Sequence, residues 1–396
     1  MLLWSGQVVS TLGSHASGIV ITLLILALTG SPSAAGLAPA FVLGPYIVLS
    51  LPVGVWVDRW DRQRVMVVCD LGRAGASATV PLALWFDSLT LAHLYAVLAV
   101  HGTLLVFFNL AEVAALPKVV ATAQLPQAIA QNQAGHSAAG IAGPALGSWL
   151  YQALGRSLPF VVDAVSYLVS AWAIWRLRTP LTASPNPAPS NLRAEIAVGL
   201  RWVWDQLLVR HMAGVTCLSN FVSAALPLLL IVIAKAQGAS EAQIGLVFSA
   251  GGVGGLLGAL AGGWVARRFS FGAVITATLG VQAALLPLLL LAPGPLALAA
   301  VFGAMMFAAP IYNVVQLSRR LAMIPDGLQG RVNSAFRLAA NLLYPVGAAL
   351  CGVLIERGGT GLAVAVFGTV AVALVVATAV DPVIRREGLD GVSSAP

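Results

Sequence analysis

The chain has 396 residues, of which 59% are hydrophobic and only 9% are charged. A soluble protein of this length needs more charged surface, so these values and a mean hydropathy of +0.91 exclude that class and indicate a membrane protein. The net charge of +7 comes from basic residues scattered between apolar segments, which excludes a nucleic-acid-binding patch. The three cysteines lie in separate apolar segments, which indicates neither a disulfide framework nor a metal site.

Apolar runs of about 18–25 residues, long enough to cross a bilayer, occur twelve times in the sequence. The first run lacks a basic leader and a cleavage site, so it is predicted to be a retained span and not a signal peptide. A proline-rich linker separates the runs into two sets, and an amphipathic stretch at 191–205 follows it, suited to the membrane surface. The predicted spans are 3–28, 36–57, 65–87, 91–116, 128–153, 158–177, 211–234, 241–265, 271–292, 295–320, 331–354 and 361–381.

The sequence therefore predicts an all-α integral membrane protein with twelve transmembrane helices in two six-helix, pseudo-symmetric bundles. If the loops after the even-numbered spans lie in the cytoplasm, all basic residues except Arg73, Arg156, Lys235 and Arg357 fall on that side, so both termini are predicted to be cytoplasmic. The predicted domains are an N-terminal bundle at 1–178, a linker with a surface helix at 179–208, a C-terminal bundle at 209–382 and a cytoplasmic tail at 383–396.

The two halves repeat several residues in the same order. A loop rich in Gly, Trp, Val and Arg occurs in each half, and an asparagine and a proline recur at matching depths of the spans. These matches favour two bundles related by an axis along the membrane normal. The matching positions are 54–64 with 262–268, Asn109 with Asn313, Asn132 with Asn333, and Pro144 with Pro345.

Two motifs carry a family resemblance. The loop from Gly54 to Arg64 reads Gly-Val-Trp-Val-Asp-Arg-Trp-Asp-Arg-Gln-Arg. It resembles the signature Gly-x-x-x-Asp-Arg-x-Gly-Arg-x-Arg of the major facilitator superfamily, with Asp61 at the second glycine. The run Gly-x-x-Gly-Pro-x-x-Gly-Ser in span 5 is similar to the antiporter signature of drug exporters. The segments 68–73, 117–133 and 159–170 resemble the branch of drug:proton antiporters that contains macrolide exporters and the enterobactin exporter.

The resemblance implies a cytoplasmic latch at the loop between spans 2 and 3. Asp58 would face the positive amino end of span 11 near Arg331, a contact of about 0.3–2 kcal/mol. Alternatively, the loop arginines only fix the topology. Asp70 and Arg73 share one face of span 3 and are predicted to pair, either as a structural link to the loop or in transport chemistry. The predicted latch residues are Gly54, Asp58, Arg59, Arg62, Arg64, Asp70, Arg73 and Arg331.

Three residues inside the spans are candidates for proton coupling. Glu112 is the first, because burial favours the protonated carboxyl that coupling requires and its counterpart Gln316 does not titrate. The alternative for Glu112 is an ion pair with an arginine such as Arg337. Asp163 of span 6 is either functional or part of the scaffold. His15 of span 1 either binds a proton or is a hydrogen-bonded structural residue.

Other polar and small residues inside the spans are assigned to a substrate cavity and to helix packing. The small residues of span 5 are predicted to pack closely against a helix of the other half and to seal the cavity, or to serve packing alone. These are Gly140, Gly143, Pro144 and Gly147, of which Pro144 permits a bend. The cavity candidates are Gln7, Thr11, Asn109, His136, Asn220, Tyr312, Asn313, Gln316, Arg337, Asn341 and Tyr344.

Together these features predict a secondary active transporter of the cell (inner) membrane. It would export an amphipathic organic compound, such as a drug or macrolide, by alternating access, with the proton gradient as its energy source and with no cofactor or metal. A largely apolar cavity suits a neutral or weakly cationic solute. The alternatives are export of a siderophore or endogenous metabolite, for which Arg337 would be an anion partner, and lipid flipping.

Other function classes have less support in the sequence. An enzyme is not expected, because no nucleophile motif, zinc motif or phosphate-binding loop is found. A receptor or scaffold would leave the Asp58 latch without a purpose. The expected partners are a small-molecule substrate, protons and the lipid bilayer, without nucleic acid, and the chain is expected to be a monomer.

Overall fold

A computed structural model describes the backbone of residues 2–119, 124–177, 192–325 and 328–384. It describes the side chains in these ranges except those of 2–5, 50–51, 54–55, 58–59, 117–118, 125–130 and 192–196. The described ranges are helical apart from turns and short connections. The helices are α1 Leu2–Thr29, α2 Pro32–Arg59, α3 Arg62–Trp85, α4 Leu91–Val119, α5 Leu125–Leu154, α6 Leu158–Trp175, α7 Leu192–Asp205, α8 Leu207–Ser223, α9 Leu226–Ala236, α10 Glu241–Arg268, α11 Phe271–Leu291, α12 Pro295–Met323, α13 Gln329–Asn341 and α14 Tyr344–Val380.

Ten segments within the described residues are long and apolar enough to cross a membrane. The last of them, Gln329–Val380, has 52 residues, which is more than one crossing requires. Its backbone is non-helical at Gly358 and at Gly359, and Gly359 has a φ of 75°, a conformation that glycine adopts without steric cost. These two glycines lie between predicted spans 11 and 12. The exact number of spans stays a prediction.

Two predicted spans are interrupted helices. Predicted span 7 consists of α8 and α9, which are separated just before Pro227, and predicted span 11 is divided just before Pro345. Proline lacks an N–H donor and crowds the preceding turn, so a helix tends to end before it and a new one begins with it. Pro144, the counterpart of Pro345, instead lies inside the continuous helix α5.

Contacts divide the chain into two units: Met1–Leu192 with Ser240–Ser249, and Arg193–Ala239 with Ala250–Pro396. In the first unit α1 packs against α5 and α6, α3 packs against α4 and α6, and α2 packs against α4. In the second unit α11 packs against α12 and α14, and α8 packs against α13 and α14. The predicted domain bounds remain a prediction.

Glycines bring the helices of the first unit into backbone contact. A Cβ atom on Gly102 of α4 would overlap the carbonyl oxygen of Val42 in α2. A Cβ atom on Gly147 of α5 would likewise overlap the carbonyl oxygen of Ala16 in α1. Small residues at such crossings allow close van der Waals packing, which is the main attraction between helices in a membrane.

The second unit contains the same two kinds of contact. A Cβ atom on Gly303 of α12 would lie 3.2 Å from the carbonyl oxygen of Ala250 in α10. A Cβ atom on Gly347 of α14 would overlap the carbonyl oxygen of Phe221 in α8. These glycines and carbonyls follow the same chain order as their counterparts in the first unit.

The predicted amphipathic helix is present as α7, which belongs to the second unit and packs against α13. A Cβ atom on Gly199 would lie 2.6 Å from the carbonyl oxygen of Arg331 in α13, and Val203 is buried in the core of this unit. Leu200 and Trp204 are exposed. The helix therefore docks through one face and presents apolar side chains on another.

Candidate functional site

The loop between α2 and α3 is organised by Asp61, which stands at the second glycine of the signature. Its carboxylate accepts hydrogen bonds from the backbone nitrogens of Gln63 at 2.9 Å and Arg64 at 3.2 Å, and it thereby caps α3. Arg64 also lies 3.8 Å from Asp61, but the arginine side chain is 87% exposed. An ion pair so open to solvent contributes little to stability.

Gln63 connects this loop to the end of α6. Its Nε2 donates to the carbonyl oxygens of Ile174 at 2.9 Å and Leu177 at 3.0 Å, at the end of the helix, where carbonyl groups lack the regular helical partner. Arg62 donates from Nη1 to the carbonyl oxygen of Ala114 in α4 at 3.2 Å. The sequence analysis missed the role of Gln63 because it considered only the charged residues of the loop.

Three residues of the predicted latch, Gly54, Asp58 and Arg59, lie in α2, but their surroundings fall outside the described part of the structure. Arg331 lies in the first turn of α13 and is exposed. The latch therefore stays a prediction.

The predicted pair of Asp70 and Arg73 is an ion pair at the centre of the first unit. Asp70 is 0% exposed and Arg73 is 4% exposed. The guanidinium also lies 4.5 Å from the ring centroid of Phe108 and 4.6 Å from that of Tyr167. The aromatic faces stabilise the buried cation further. The pair contacts α4 and α6 here, which differs from the expected link to the loop.

A cavity of about 230 Å³ lies beside this ion pair, within the first unit. It contains every first-half residue that the sequence assigned to the substrate cavity, together with two of the three proton-coupling candidates. The side chains of one α1 stripe form one wall, and α4 and α5 contribute the others. The lining residues are Gln7, Ser10, Thr11, Ser14, His15, Arg73, Leu105, Phe108, Asn109, Glu112 and His136. We call this cavity the Glu112 chamber.

Glu112 is held in the chamber by a neutral partner. Asn132 of α5 donates from Nδ2 to Glu112 Oε1 at 3.3 Å. Among the described residues of the first unit, Glu112 forms no ion pair. Gln7 also lines the chamber, and its amide approaches the Glu112 carboxylate as a second donor. The side chains that hold Glu112 in the chamber, Asn132 and Gln7, are therefore both neutral.

Asp163 lies in a second cavity, of about 200 Å³, which shares Ser14, Arg73 and Leu105 with the Glu112 chamber. Only 1% of Asp163 is exposed, and Ser77 Oγ donates to its Oδ2 at 2.8 Å. We call this cavity the Asp163 chamber. The structure thus places both candidate carboxylates next to the same guanidinium.

Gly143 and Gly147 of the span 5 motif contact α1, whereas Pro144 of the same motif packs against α10, a helix that the sequence assigns to the other half: a Cβ atom on Gly245 would lie 2.6 Å from the carbonyl oxygen of Pro144. A Cβ atom on Gly143 would lie 3.1 Å from the backbone carbonyl carbon of His15, and Gly147 contacts Ala16. Gly140 has more room, since its nearest neighbour would be His15 Cε1 at 3.9 Å. Three glycines at this spacing lie on one face of α5, and that face belongs to the α1–α5 crossing.

The second unit has a smaller polar cavity, of about 50 Å³, which includes the predicted Asn220, Tyr312 and Asn313. Tyr312 shares a hydrogen bond of 2.7 Å with Thr216 Oγ1, and Asn220 donates to the carbonyl oxygen of Ala340 at 2.9 Å. These groups already have partners within the fold. The remaining candidates do not line this cavity: Gln316, Arg337, Asn341 and Tyr344.

Gln316 instead belongs to a buried cluster around Arg320. Arg320 is 5% exposed, donates to Asn333 Oδ1 at 3.1 Å and to Gln316 Oε1 at 3.4 Å, and lies 3.8 Å from the ring centroid of Phe336. The sequence analysis assigned Arg320 to a cytoplasmic loop because it ended span 10 at residue 320. In the structure α12 continues to Met323, so this cation lies inside the helix packing.

Comparison with known proteins identifies the family. A model of the Major Facilitator Superfamily matches residues 3–225, more than half of the chain. The chain belongs to this superfamily. Its family is one of multi-pass membrane transporters and not of enzymes. This confirms the prediction of a membrane transporter and the prediction that the chain is not an enzyme.

Several curated relatives and solved structures are similar to most of the chain. The multidrug efflux pump Tap of Mycolicibacterium fortuitum is 30% identical, over 85% of this chain and 84% of its own length. The macrolide efflux protein A of Streptococcus pyogenes is 24% identical, over 97% of this chain and 96% of its own length. The nucleoside transporter NupG has a TM-score of 0.76 at 13% identity, over 96% of this chain and 99% of its own. A bacterial homologue of the lysosomal transporter Spinster has a TM-score of 0.70 at 15% identity, over 99% and 93%.

Proposed function

We propose that this superfamily member is a proton-driven exporter of amphipathic organic compounds, such as drugs or macrolides. The observation that carries the proposal is the Glu112 chamber, which combines a half-buried carboxylate with polar side chains and an aromatic ring. The names of the relatives support the substrate class, since they are a multidrug efflux pump and a macrolide efflux protein.

The charges around the chamber favour a neutral or cationic solute. Asp70 already neutralises Arg73, so an ionised Glu112 leaves the chamber with a negative charge. A buried carboxylate without a cation is unfavourable, and it becomes stable when it binds either a proton or a cationic group of the solute. Competition between the proton and the solute for Glu112 would couple export to the proton gradient.

The remaining parts of the proposal follow the superfamily's architecture. We propose twelve spans in two six-helix bundles that alternate access, with α5 as one span and with α13 and α14 divided at Gly358 and Gly359 into two. The recurrence of the α1–α5 contact as the α8–α14 contact supports this duplication. Both termini would be cytoplasmic, the Asp58 latch would hold one state, and α7 would lie at the membrane surface. The chain would act as a monomer without a cofactor.

Transport into inverted vesicles tests the proposal. Purified protein is reconstituted, and uptake of a panel of macrolides and lipophilic cations is measured with and without an imposed pH gradient. The wild-type protein should concentrate a compound only when the gradient is present, and Glu112→Gln should reduce uptake to that of protein-free vesicles.

The matched control is Asp87→Asn, which also converts a carboxylate to an amide but lies in the exposed turn after α3. It should transport like the wild type. Uptake that ignores the gradient, or a Glu112→Gln protein that still responds to it, contradicts proton coupling through this residue.

A further inference from the structure

The Asp163 chamber contains a chain of three polar groups that join α4, α3 and α6. Ser77 Oγ donates to Asp163 Oδ2 at 2.8 Å and lies 3.1 Å from His101 Nε2. Ser77 and Asp163 are each 1% exposed, and His101 lines the same chamber. The sequence analysis did not single out Ser77 or His101, although a histidine within an apolar span is itself a signal.

The serine has only one proton, and this fixes how the three groups can be protonated. When the hydroxyl donates to an ionised Asp163, it can only accept from His101, so Nε2 must carry a hydrogen. When Asp163 is protonated and donates to the serine, the hydroxyl can donate to a bare Nε2. Both arrangements satisfy the same three atoms, so Ser77 can connect the two titratable groups in either direction.

The surroundings of Asp163 offer it no full counter-charge. The guanidinium of Arg73 is already paired with Asp70, and the side chains that approach the Asp163 carboxylate as hydrogen-bond donors, Ser77 and Ser17, are neutral. An ionised carboxylate in such a position is costly to bury. The other titratable or charged groups that line the two chambers, or pair with a lining residue, are His15 of α1, Asp70 and Arg73 of α3, His101 and Glu112 of α4, His136 of α5, and Tyr167 of α6.

We propose that Asp163, Ser77 and His101 form a second proton-binding site, in which the serine hydroxyl passes a proton between the carboxylate and the imidazole. The role of this site in transport rests on the proposed proton-driven export. The Asp163 chamber adjoins the Glu112 chamber at Arg73, which lines both cavities. Two carboxyl groups that share one neutralised guanidinium allow the first unit to hold two protons, one on Glu112 and one on the Asp163 site.

The internal transfer is balanced. In the ionic form His101 is an imidazolium and Asp163 is a carboxylate. The Nε2–H bond breaks as its proton moves to Ser77 Oγ, and the serine's own proton moves to Asp163 Oδ2. The products are a neutral imidazole and a carboxylic acid, with no proton gained or lost. Loading of the site adds one proton from the chamber, and release returns it.

Infrared spectroscopy tests the site without relying on transport. Purified protein in lipid membranes is titrated with pH, and the carbonyl stretch of protonated carboxylic acids is followed in difference spectra. The wild type should show two such bands inside the protein. Glu112→Gln should remove one band, Asp163→Asn should remove the other, and Asp87→Asn should remove neither.

A second variant keeps the proposal testable if Asp163→Asn does not fold. Ser77→Ala retains the carboxyl but removes the hydroxyl that connects it to His101, so the Asp163 band should shift in frequency. In the wild type His101→Gln should also shift this band, and in the Ser77→Ala protein it should have no further effect. The proposal is overturned if Asp163→Asn leaves both bands in place, or if Ser77→Ala leaves the Asp163 band unshifted. An Asp163 band in a protein that transports without a pH gradient would support this site and contradict proton-driven export.

Discussion

In the first unit a hydrogen bond joins α4 to α5 between Glu112 and Asn132, and in the second unit a hydrogen bond joins α12 to α13 between Arg320 and Asn333. The two asparagines are counterparts in the internal repeat, yet one faces a carboxylate and the other a guanidinium. The repeat therefore preserves the asparagine but not its partner, since Arg320 lies four residues after the position that matches Glu112. Gln316, the counterpart of Glu112, is neutral and accepts from Arg320.

The two units share their helix packing but differ in their buried polar groups. Both units use a glycine against a carbonyl where corresponding helices cross, so their backbones are built alike. Among the described residues, the first unit combines the buried carboxylates of Asp70 and Asp163 with chambers of about 230 and 200 Å³, whereas the described polar cavity of the second unit measures about 50 Å³. This difference is why we propose proton binding in the first unit, and the following variants test how far the two units differ.

The largest effect is expected at the buried cations. Arg73→Leu strands the carboxylate of Asp70, and loss of one partner of a buried pair costs about 3–5 kcal/mol. Arg320→Leu leaves only the neutral side chains of Gln316 and Asn333, and loss of such hydrogen bonds costs about 1–3 kcal/mol. The free energy of unfolding, measured by tryptophan fluorescence in detergent, should fall more for the first variant.

The control for this pair is Arg64→Leu, whose ion pair with Asp61 is solvent-exposed and should contribute less than about 1 kcal/mol. The double variant Asp70→Asn with Arg73→Leu should recover part of the loss, because no unpaired charge then remains buried. If the Arg320 variant unfolds as readily as the Arg73 variant, Arg320 has an acidic partner and the electrostatic contrast between the units is wrong.

The glycine crossings should respond alike in both units. In Gly147→Ala and in Gly347→Ala the new Cβ overlaps a carbonyl oxygen of the neighbouring helix, and overpacking of this kind costs about 1–3 kcal/mol. Gly140→Ala is the matched control on the same helix face, since its Cβ would have only an ordinary contact with His15. Thermal unfolding midpoints measure all three.

A large loss in one crossing and none in the other would show that the duplicated contact is not structurally equivalent. Gly140→Ala should be neutral or slightly stabilising, because alanine is favoured over glycine in a helix by about 1 kcal/mol. A destabilised Gly140→Ala protein would instead mean that the whole glycine face of α5, and not only the close contact at Gly147, sets the distance between α1 and α5.

The sequence predicted the features that depend on apolar length and on local spacing. The Asp70–Arg73 pair and the polar stripe of α1 follow from helical periodicity, and the structure contains both. The bundle arrangement and the roles of the site residues stay predictions. Periodicity also placed the glycines of span 5 on one face, but it does not state which helix that face meets.

What the sequence did not predict depends on contacts between distant segments. His101 and Ser77 are separated by 24 positions and Ser77 and Asp163 by 86, so their chain of hydrogen bonds exists only after α3, α4 and α6 pack. Arg320 was misplaced for a local reason, since helix ends are the least certain part of a sequence-based assignment. A predicted helix end that is three residues too early was enough to assign the buried Arg320 to a loop, because α12 continues to Met323.

The smallest effect is expected at Gln63, which joins the loop before α3 to the end of α6 in the first unit only. Gln63→Met removes the amide donor but keeps the length of the side chain, so the carbonyl oxygens of Ile174 and Leu177 lose this partner. A hydrogen bond of this kind contributes about 0.5–1.5 kcal/mol, so global stability should change little. Amide hydrogen exchange should become faster in the last turn of α6 and stay unchanged in α8–α14.

The control is Gln63→Lys, which keeps a donor at this length and should retain slow exchange in the last turn of α6. Faster exchange throughout the chain in the methionine variant would mean that Gln63 supports the fold of both units, and the contrast between them would then not extend to this loop.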